Sequence, residues 1–198
     1  DGSNTTTVSA SPDSGFSIVF GTKTNGASVA NTFGHGLGKK PQVIIQKRQD
    51  GSEDWYTYWE TLSSLYRIQL NSSSAYTSTN VWHDVEPTNS VFTIRSFNDG
   101  DFIAYCFTQI DGFSSMGQYR GNGSDNGPFV YTGFRPAFVM LKKYNGTADW
   151  NIRDTARSPY NVVGRALYPN LSFSEYSGSE TYIDILSNGF RLRGNWNS

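Results

Sequence analysis

Short runs of apolar and β-branched residues, separated by Gly, Asn, Asp and Ser, follow one another along almost the whole chain. Strands favour aromatic and β-branched residues, and tight turns favour the small polar ones. No stretch has a convincing helical period. The chain is therefore expected to be all-β, with mainly antiparallel strands. The predicted strands are 15–20, 42–48, 54–59, 66–70, 91–95 and 102–107, followed by 117–119, 138–143, 149–153, 165–168, 181–186 and 189–193.

A segment of the chain recurs 95 residues further on without a gap. Residues 41–55 and residues 136–150 both begin with proline, continue through an apolar strand and a basic pair, and end in Asp-Trp after a Gly turn. Glycine in that turn supplies the permissive backbone that a hairpin needs. Recurrence at a fixed spacing indicates an internal duplication.

Three segments are therefore predicted. Residues 1–14 are polar and of low complexity, which is typical of a linker or N-terminal tail. Residues 15–112 and 113–198 are predicted to be two tandem β repeats that share one core, in an antiparallel, jelly-roll-like β-sandwich. In the first repeat a strand at 101–110 follows the position at which the second repeat stops. We therefore expect an open sheet edge in the second repeat, to be covered by the tail, by another subunit or by further chain.

Composition narrows the class of protein. Aromatic residues are 15% and charged residues 17%, which is typical of an extracellular or virion-type β protein, and the net charge of −1 offers no field to recruit nucleic acid or an anionic membrane. No apolar run approaches the roughly 20 residues of a membrane helix. Cys106 is the single cysteine, so no intrachain disulfide forms, and its apolar strand predicts a buried, inert thiol.

Aromatic residues next to the repeated segment are the first candidates for ligand binding. Trp55 and Trp150 occupy equivalent positions and are predicted to lie in the core. Because strand side chains alternate between faces, Tyr56 and Tyr58 then point to solvent. There they would stack on sugar rings, or pack against a loop or a neighbouring protein.

Two further candidates lie outside the repeated segment. Trp82 and His83 belong to a loop with no obvious equivalent in the second repeat, so they could form a glycan or receptor patch. The alternative is a tryptophan that caps the end of the sandwich. Arg157 lies three residues after Asp154, and its guanidinium would either bind the carboxylate of an acidic sugar or form a structural ion pair with Asp154.

The sequence offers little catalytic chemistry. It has two histidines and no Gly-x-Ser-x-Gly, His-Glu-x-x-His or phosphate-loop motif. The acidic turns at 98–101 and 124–126 could hold calcium, but they do not fit the EF-hand pattern and turn chemistry explains them. We expect no catalytic residue, no bound metal and no cofactor.

Two longer motifs lie partly outside the repeated segment and bear on the kind of protein. Residues 121–142 read Gly-Asn-Gly-Ser-Asp-Asn-Gly-Pro-Phe-Val-Tyr-Thr-Gly-Phe-Arg-Pro-Ala-Phe-Val-Met-Leu-Lys, and residues 35–47 begin His-Gly-Leu-Gly-Lys-Lys-Pro. The first motif, together with 154–161, 168–171 and 186–190, resembles an uncharacterised virion-protein family of tailed phages. The second is similar to an element of phage tail-fibre and baseplate proteins. The resemblance covers about residue 15 to the C-terminus and implies a virion surface component that touches the host.

These observations together favour a non-catalytic phage virion or tail module for host attachment, acting by carbohydrate binding. The expected partners are a host cell-surface glycan or receptor and other virion proteins, outside the cell, with neither nucleic acid nor membrane insertion. One alternative is a decoration or fibre-assembly domain whose open edge pairs with another copy in a homo-oligomer. A polysaccharide-degrading enzyme would need a cleft with paired carboxylates. The candidate ligand-binding residues are Tyr56, Tyr58, Trp82, His83 and Arg157.

Overall fold

Short antiparallel strands build the chain, as the sequence predicts. The computed structural model describes residues 2–78, 81–95, 98–177 and 181–194, and within them the chain forms fourteen strands and two turns of 3-10 helix, Pro12–Ser14 and Glu60–Leu62. The strands are β1 (Thr6–Ser11), β2 (Phe16–Lys23), β3 (Asn31–Gly34), β4 (Val43–Arg48), β5 (Tyr56–Trp59), β6 (Tyr66–Gln69), β7 (Thr77–Ser78), β8 (Val91–Ile94), β9 (Gly100–Phe107), β10 (Asn126–Tyr131), β11 (Phe138–Leu141), β12 (Asn151–Asp154), β13 (Thr181–Leu186) and β14 (Gly189–Gly194).

The largest sheet has seven strands in the order β1-β2-β9-β4-β5-β6-β7. Strand β9 lies between β2 and β4 and pairs with both over most of its length. It is accordingly apolar on both faces, since both faces of a strand inside a sheet meet other side chains. Three smaller sheets have the orders β10-β14-β13, β11-β12 and β3-β8.

The prediction that residues 1–14 form a linker is wrong. Thr6 to Ser11 form β1, which pairs with β2 from Thr6 opposite Gly21 to Ser11 opposite Phe16. Threonine and valine suit a strand, and the edge of β2 offers backbone N–H and C=O groups that need partners. Low complexity in this segment therefore reflects a solvent-facing edge strand, because five of its six residues are exposed.

Besides β1, three strands were not predicted, namely β3, β7 and β10, and two predicted strands, at 117–119 and 165–168, are absent. β3 and β10 are flanked or interrupted by glycines, and β10 also contains Pro128 and a register shift between Asn126 and Phe129. Glycine and proline weaken the sequence signal of a strand. At 165–168 the structure has isolated bridges instead of a strand, because Ala166 pairs with Tyr176 while Leu167 pairs with Ile152.

The β3-β8 sheet covers one face of the seven-stranded sheet and builds the first core. Phe33 of β3 contacts Phe102 of β9 with ring centroids 4.6 Å apart in an edge-to-face arrangement. The buried cluster also contains Val19, Leu37, Ile44, Tyr58, Val81, Trp82, Phe92, Ile94, Ala104 and Cys106.

A second core lies between the β11-β12 hairpin and the β10-β14-β13 sheet. It consists of Val139, Val163, Ile183, Ile185, Phe190 and Leu192. The sequence predicts one shared core, whereas these buried residues form two clusters, one in each predicted repeat. Backbone hydrogen bonds join the two parts: Tyr76 N–H donates to Tyr144 C=O at 2.7 Å, and Ala148 N–H donates to Ser73 C=O at 2.9 Å.

Candidate functional site

Two of the residues predicted to bind ligand lie in the first core. Tyr58 has no exposed surface and Trp82 is 2% exposed. Their rings meet edge to face with centroids 5.9 Å apart. Neither ring can stack on a sugar, so these two predictions are wrong. For Trp82, the alternative of a tryptophan packed against the end of the sheet agrees with its position.

The prediction for Tyr58 is wrong because it took the tryptophan face of β5 to be the one that meets the core. Tyr58 pairs with Ile44, and both side chains point toward the β3-β8 sheet. Tyr56 lies on the same face, half-buried against that core, with the Arg67 guanidinium carbon 4.4 Å from its ring centroid. The tryptophan face is therefore the outward one. Trp150, by contrast, is buried as predicted, and its Nε1–H donates to Gln69 C=O at 2.8 Å.

The remaining two candidates lie in different halves of the chain. His83 is exposed, has a left-handed backbone with φ 55°, and its Nδ1 lies 3.2 Å from Arg95 Nη1. Arg157 is half-buried and forms ion pairs with Asp154 and, at 3.1 Å, with Glu175. The structural ion pair that the sequence offered as the alternative is therefore present. The five candidates do not form one exposed patch.

The opposite face of the seven-stranded sheet carries a band of aromatic side chains. Tyr105 lies at its centre: the Phe16 ring is 6.5 Å away at an interplanar angle of 9°, and the Trp55 ring is 6.5 Å away at 16°. Phe107 lies 5.0 Å from Phe16. We call this surface the outer aromatic face, and it comprises Phe16, Ile18, Phe20, Ile45, Trp55, Trp59, Ile103, Tyr105 and Phe107.

Strand alternation explains why these side chains share a face. Phe16 pairs with Phe107 and Ile18 pairs with Tyr105 across β2 and β9, and Ile45 pairs with Tyr105 across β4. Directly opposite residues of antiparallel strands point to the same side. All nine side chains keep part of their surface exposed, and Phe20 reaches 41%.

A sequence signal for this face was present in β2 and β9. In β9 the large residues Ile103, Tyr105 and Phe107 alternate with Ala104 and Cys106. The small residues allow the β3-β8 sheet to approach closely, and the large ones face outward. The alternation of large and small residues along β9 indicates the outward aromatic face. The match between Trp55 and Trp150 does not.

The rim of the outer aromatic face is polar and internally paired. The Thr22 hydroxyl donates to Asp101 Oδ1 at 2.6 Å, and Lys47 Nζ donates to Gly51 C=O at 3.0 Å. At the nearby hairpin Arg48 forms ion pairs with Asp50 at 2.6 Å and with Glu53 at 2.8 Å. The arrangement offers partly exposed aromatic surface with hydrogen-bonding groups at its margin.

Carboxylates elsewhere are also held by basic residues. Lys40 Nζ lies 3.1 Å from Glu60 and 3.2 Å from Glu86. Burial by itself would raise the pKa of Glu86, but hydrogen bonds from Tyr58, Ser64 and Lys40 outweigh it and hold the pKa below its ordinary value. Among the described residues, no three His, Cys, Asp or Glu side chains converge as metal ligands would.

Comparison with known protein families identifies the family of this chain. A family model described as Domain of unknown function (DUF7483) matches residues 1–198. The chain belongs to the DUF7483 family. No curated protein and no solved structure matches it. Within the described parts of this DUF7483 domain, no helix is both long and apolar enough to cross a membrane.

Proposed function

We propose that this DUF7483 domain is a non-catalytic binding module that holds carbohydrate on its outer aromatic face. The supporting observation is the pair of near-parallel contacts that Tyr105 makes with Phe16 and Trp55, at 9° and 16°. Aromatic rings present flat apolar faces, on which the C–H faces of sugar rings stack, while the polar rim supplies hydrogen bonds to hydroxyl groups.

The shape and charge of the face favour an extended neutral polysaccharide. The rings are spread over β2, β9, β4 and β5, so several successive sugar units could contact one sheet. Strand spacing is about 4.8 Å, so four strands span roughly 15 Å, which is comparable to a few sugar units. The nine side chains of the face carry no formal charge, so an acidic sugar finds no counter-ion among them.

The biological setting of the proposal comes from the sequence motifs at 35–47 and 121–142. They resemble phage virion proteins, and the proposal therefore places the domain on a virion surface or tail, where it attaches the particle to a host glycan or receptor. Its fold in this proposal is a jelly-roll-like sandwich of two tandem pseudo-repeats, 15–112 and 113–198. The two separate buried clusters support a division at that boundary.

Binding of soluble polysaccharides to the purified domain tests the proposal. Trp55→Ala removes a half-exposed ring, and Tyr105→Leu keeps apolar bulk while removing the flat central ring. Each is expected to weaken binding about tenfold, which corresponds to roughly 1.4 kcal/mol. Tyr160→Ala is the matched control, because Tyr160 is 83% exposed and lies outside this face. Saturable binding that survives both face variants would overturn the assignment of the site.

A structural role in virion assembly is the second candidate. It is favoured by β11, which has β12 on one side and no strand among the described residues on the other. Failure of every polysaccharide to bind, combined with concentration-dependent association in light scattering, would favour this role. Release of reducing sugar from any polysaccharide would instead support the third alternative, a polysaccharide-degrading enzyme.

A further inference from the structure

The β10-β14-β13 sheet has one face on the second core and one face turned away from it. Phe190 and Leu192 of β14 belong to that core, so Arg191 between them points to the opposite side. Residues directly opposite each other in antiparallel strands share a side, which places six polar and aromatic side chains together. We call this surface the arginine face, and it comprises Asn126, Phe129, Tyr131, Asp184, Arg191 and Arg193.

The two arginines of this face converge on one neutral oxygen. Asn126 Oδ1 accepts hydrogen bonds from Arg193 Nη1 at 2.9 Å and from Arg191 Nη1 at 3.3 Å. Asp184 stands directly opposite Arg191, yet its carboxylate accepts from Nε of the diagonal residue Arg193 at 2.7 Å. Among the described residues, one carboxylate therefore forms an ion pair on a face that carries two guanidinium groups.

Arg191 is the arginine that this carboxylate leaves unpaired. Its Nε is buried and has no hydrogen-bond partner in the described parts of the chain, and its bond to Asn126 is long for a charged donor. By contrast, Arg48, Arg157 and Arg165 each form an ion pair with a carboxylate. Buried donors without partners are rare in folded proteins. The guanidinium of Arg191 thus has donors and a positive charge to offer an anion.

Aromatic rings lie directly beside this guanidinium. Phe129 stands opposite Arg191 and is 39% exposed, and Tyr131, opposite Gly189, is 68% exposed. A Cβ atom added at Gly189 would lie 2.9 Å from two ring carbons of Phe129, so the missing side chain lets this ring lie over the strand. Residues two apart on a strand are separated by about 7 Å, which is comparable to the size of one sugar ring.

We propose that the arginine face binds an acidic sugar. Arg191 donates to the sugar carboxylate, since a planar guanidinium matches the two oxygens of that group. Phe129 and Tyr131 contact the C–H faces of the sugar ring, and the Tyr131 hydroxyl and the Asn126 amide lie within the same face for its hydroxyl groups. The ligand class is the carbohydrate of the proposed function, but the site and the kind of sugar differ from those of the outer aromatic face.

Charge on the arginine face favours a single carboxylate over a phosphate. The Asp184 side chain is 13% exposed and stands opposite Arg191, so a dianionic phosphate at Arg191 would meet a second negative charge nearby. A sugar with one carboxylate per unit adds a single charge, which balances the charge of Arg191. Because the rings are open to solvent on one side, the face also suits a hydrated ligand better than an acyl chain, which would stay largely exposed.

Titration of acidic oligosaccharides into the full 198-residue chain tests the proposal. The probes are hexamers of galacturonate, glucuronate and mannuronate, followed by calorimetry at an ionic strength of about 0.1 M, where distant charges are screened. We expect saturable binding of at least one hexamer. The methyl ester of that hexamer, which keeps the sugar rings but not the charge, should bind about tenfold more weakly or less well still.

Matched variants locate the effect on this face. Arg191→Gln removes the guanidinium and is expected to weaken binding about tenfold or more. Arg165→Gln makes the same change in net charge at a side chain that is 57% exposed and bonded to Glu175, and should leave binding unchanged. Tyr131→Ala, at an exposed position where folding should be unaffected, is expected to weaken binding about fivefold. Urea unfolding of each variant confirms that the fold is retained.

Four outcomes would overturn the inference. Failure of all three hexamers to bind a folded sample would show that the face takes no acidic sugar. Equal binding of the acid and its methyl ester would show that the carboxylate is not recognised. Equal losses in Arg191→Gln and Arg165→Gln would assign the binding to long-range charge. Inorganic sulfate that binds as tightly as the hexamer would assign Arg191 to simple anions.

The variants also separate this site from the outer aromatic face. Trp55→Ala, which lies in the other half, should leave binding of the acidic hexamer unchanged, and Arg191→Gln should leave binding of neutral polysaccharides unchanged. Loss of acidic-hexamer binding in Trp55→Ala alone would move the acidic sugar to the outer aromatic face and overturn the inference. Each of the two sites can therefore fail while the other is retained.

Discussion

The Tyr58 hydroxyl donates a hydrogen bond to the Glu86 carboxylate and so links the buried side of β5 to the segment that follows Trp82. Glu86 also accepts from Ser64 N–H at 2.7 Å and from Lys40 Nζ at 3.2 Å. One carboxylate therefore ties together three parts of the first half. Because Tyr58 is fully buried and its hydroxyl bonds to this carboxylate, burial first and the carboxylate second raise the pKa of Tyr58 well above its ordinary value.

Tyr58→Phe is expected to destabilise the domain by about 1–2 kcal/mol. The change keeps the ring in the core but removes a donor to a charged acceptor, and such bonds contribute more than neutral ones. The free energy of unfolding in urea measures the loss. Tyr160→Phe, at an exposed position, is the control and should be neutral. Equal stabilities of the two variants would show that the Tyr58–Glu86 bond contributes nothing net.

Glu86→Gln is expected to flatten the dependence of stability on acid pH. The folded pKa of Glu86 lies below the ordinary value of 4.5, so its contribution is complete above that value and is lost as pH falls through the folded pKa. Unfolding free energies from about pH 6 to about pH 3 should fall less steeply in the variant than in the parent chain. A variant with the same acid slope would assign that slope to other carboxylates.

Trp82→Ala is expected to cost about 3–5 kcal/mol, because it leaves a large cavity in a packed core. His83→Ala, one residue later and exposed, should change stability by less than about 0.5 kcal/mol. The comparison separates a core role for Trp82 from the surface role that the sequence suggested. If Trp82→Ala left the thermal midpoint unchanged, the buried position of this ring would be wrong.

Most of the strands were predictable because their signals are local, whereas the faces of the strands were not. Alternation places Trp55 and Tyr56 on opposite sides of β5, but it does not say which side meets the core. That choice depends on the β3-β8 sheet, and β3 is too short and too rich in glycine neighbours to stand out. Exposed aromatic side chains were thus predicted on the wrong face of β5, and the sequence patterns did not single out Tyr105.

Two other predictions from the sequence were wrong. One concerned the low-complexity N-terminal segment, and the other concerned Trp82 in its loop. The Thr-rich segment at the N-terminus became β1 because an adjacent edge of β2 was available, which composition does not reveal. Trp82 was predicted to bind ligand because it lies in a loop that has no obvious equivalent in the second repeat. Its ring instead packs against Tyr58, a residue 24 positions earlier, and such long-range contacts leave no trace in local sequence.

The Cys106 thiol is expected to be inert in the native state. It is fully buried, and burial raises its pKa to about 12. At about pH 8 roughly one molecule in ten thousand would carry the reactive thiolate. A thiol-reactive chromophore should label it very slowly in the folded protein and stoichiometrically in guanidinium chloride. Rapid, complete labelling without denaturant would contradict the burial of this strand.

Lys142 is expected to make the free energy of unfolding of the domain rise with pH in the alkaline range. Burial lowers its pKa from 10.5 to about 8, although Asp149 acts in the opposite direction, and its ammonium group donates to Ser73 C=O at 3.2 Å where the two halves meet. Between these pH values the unfolded chain binds the proton and the folded chain does not, so stability rises with pH across that window. Lys142→Met should remove this rise, and Lys143→Met, at an exposed position, should retain most of it, because Lys143 is the smallest of the named causes that lower the pKa of Lys142. Urea unfolding from about pH 7.5 to about pH 10.5 provides the measurement. A parent chain whose stability stays level or falls over this range would show that Lys142 keeps its proton as readily in the folded state as in the unfolded one, and would place its ammonium group in contact with solvent.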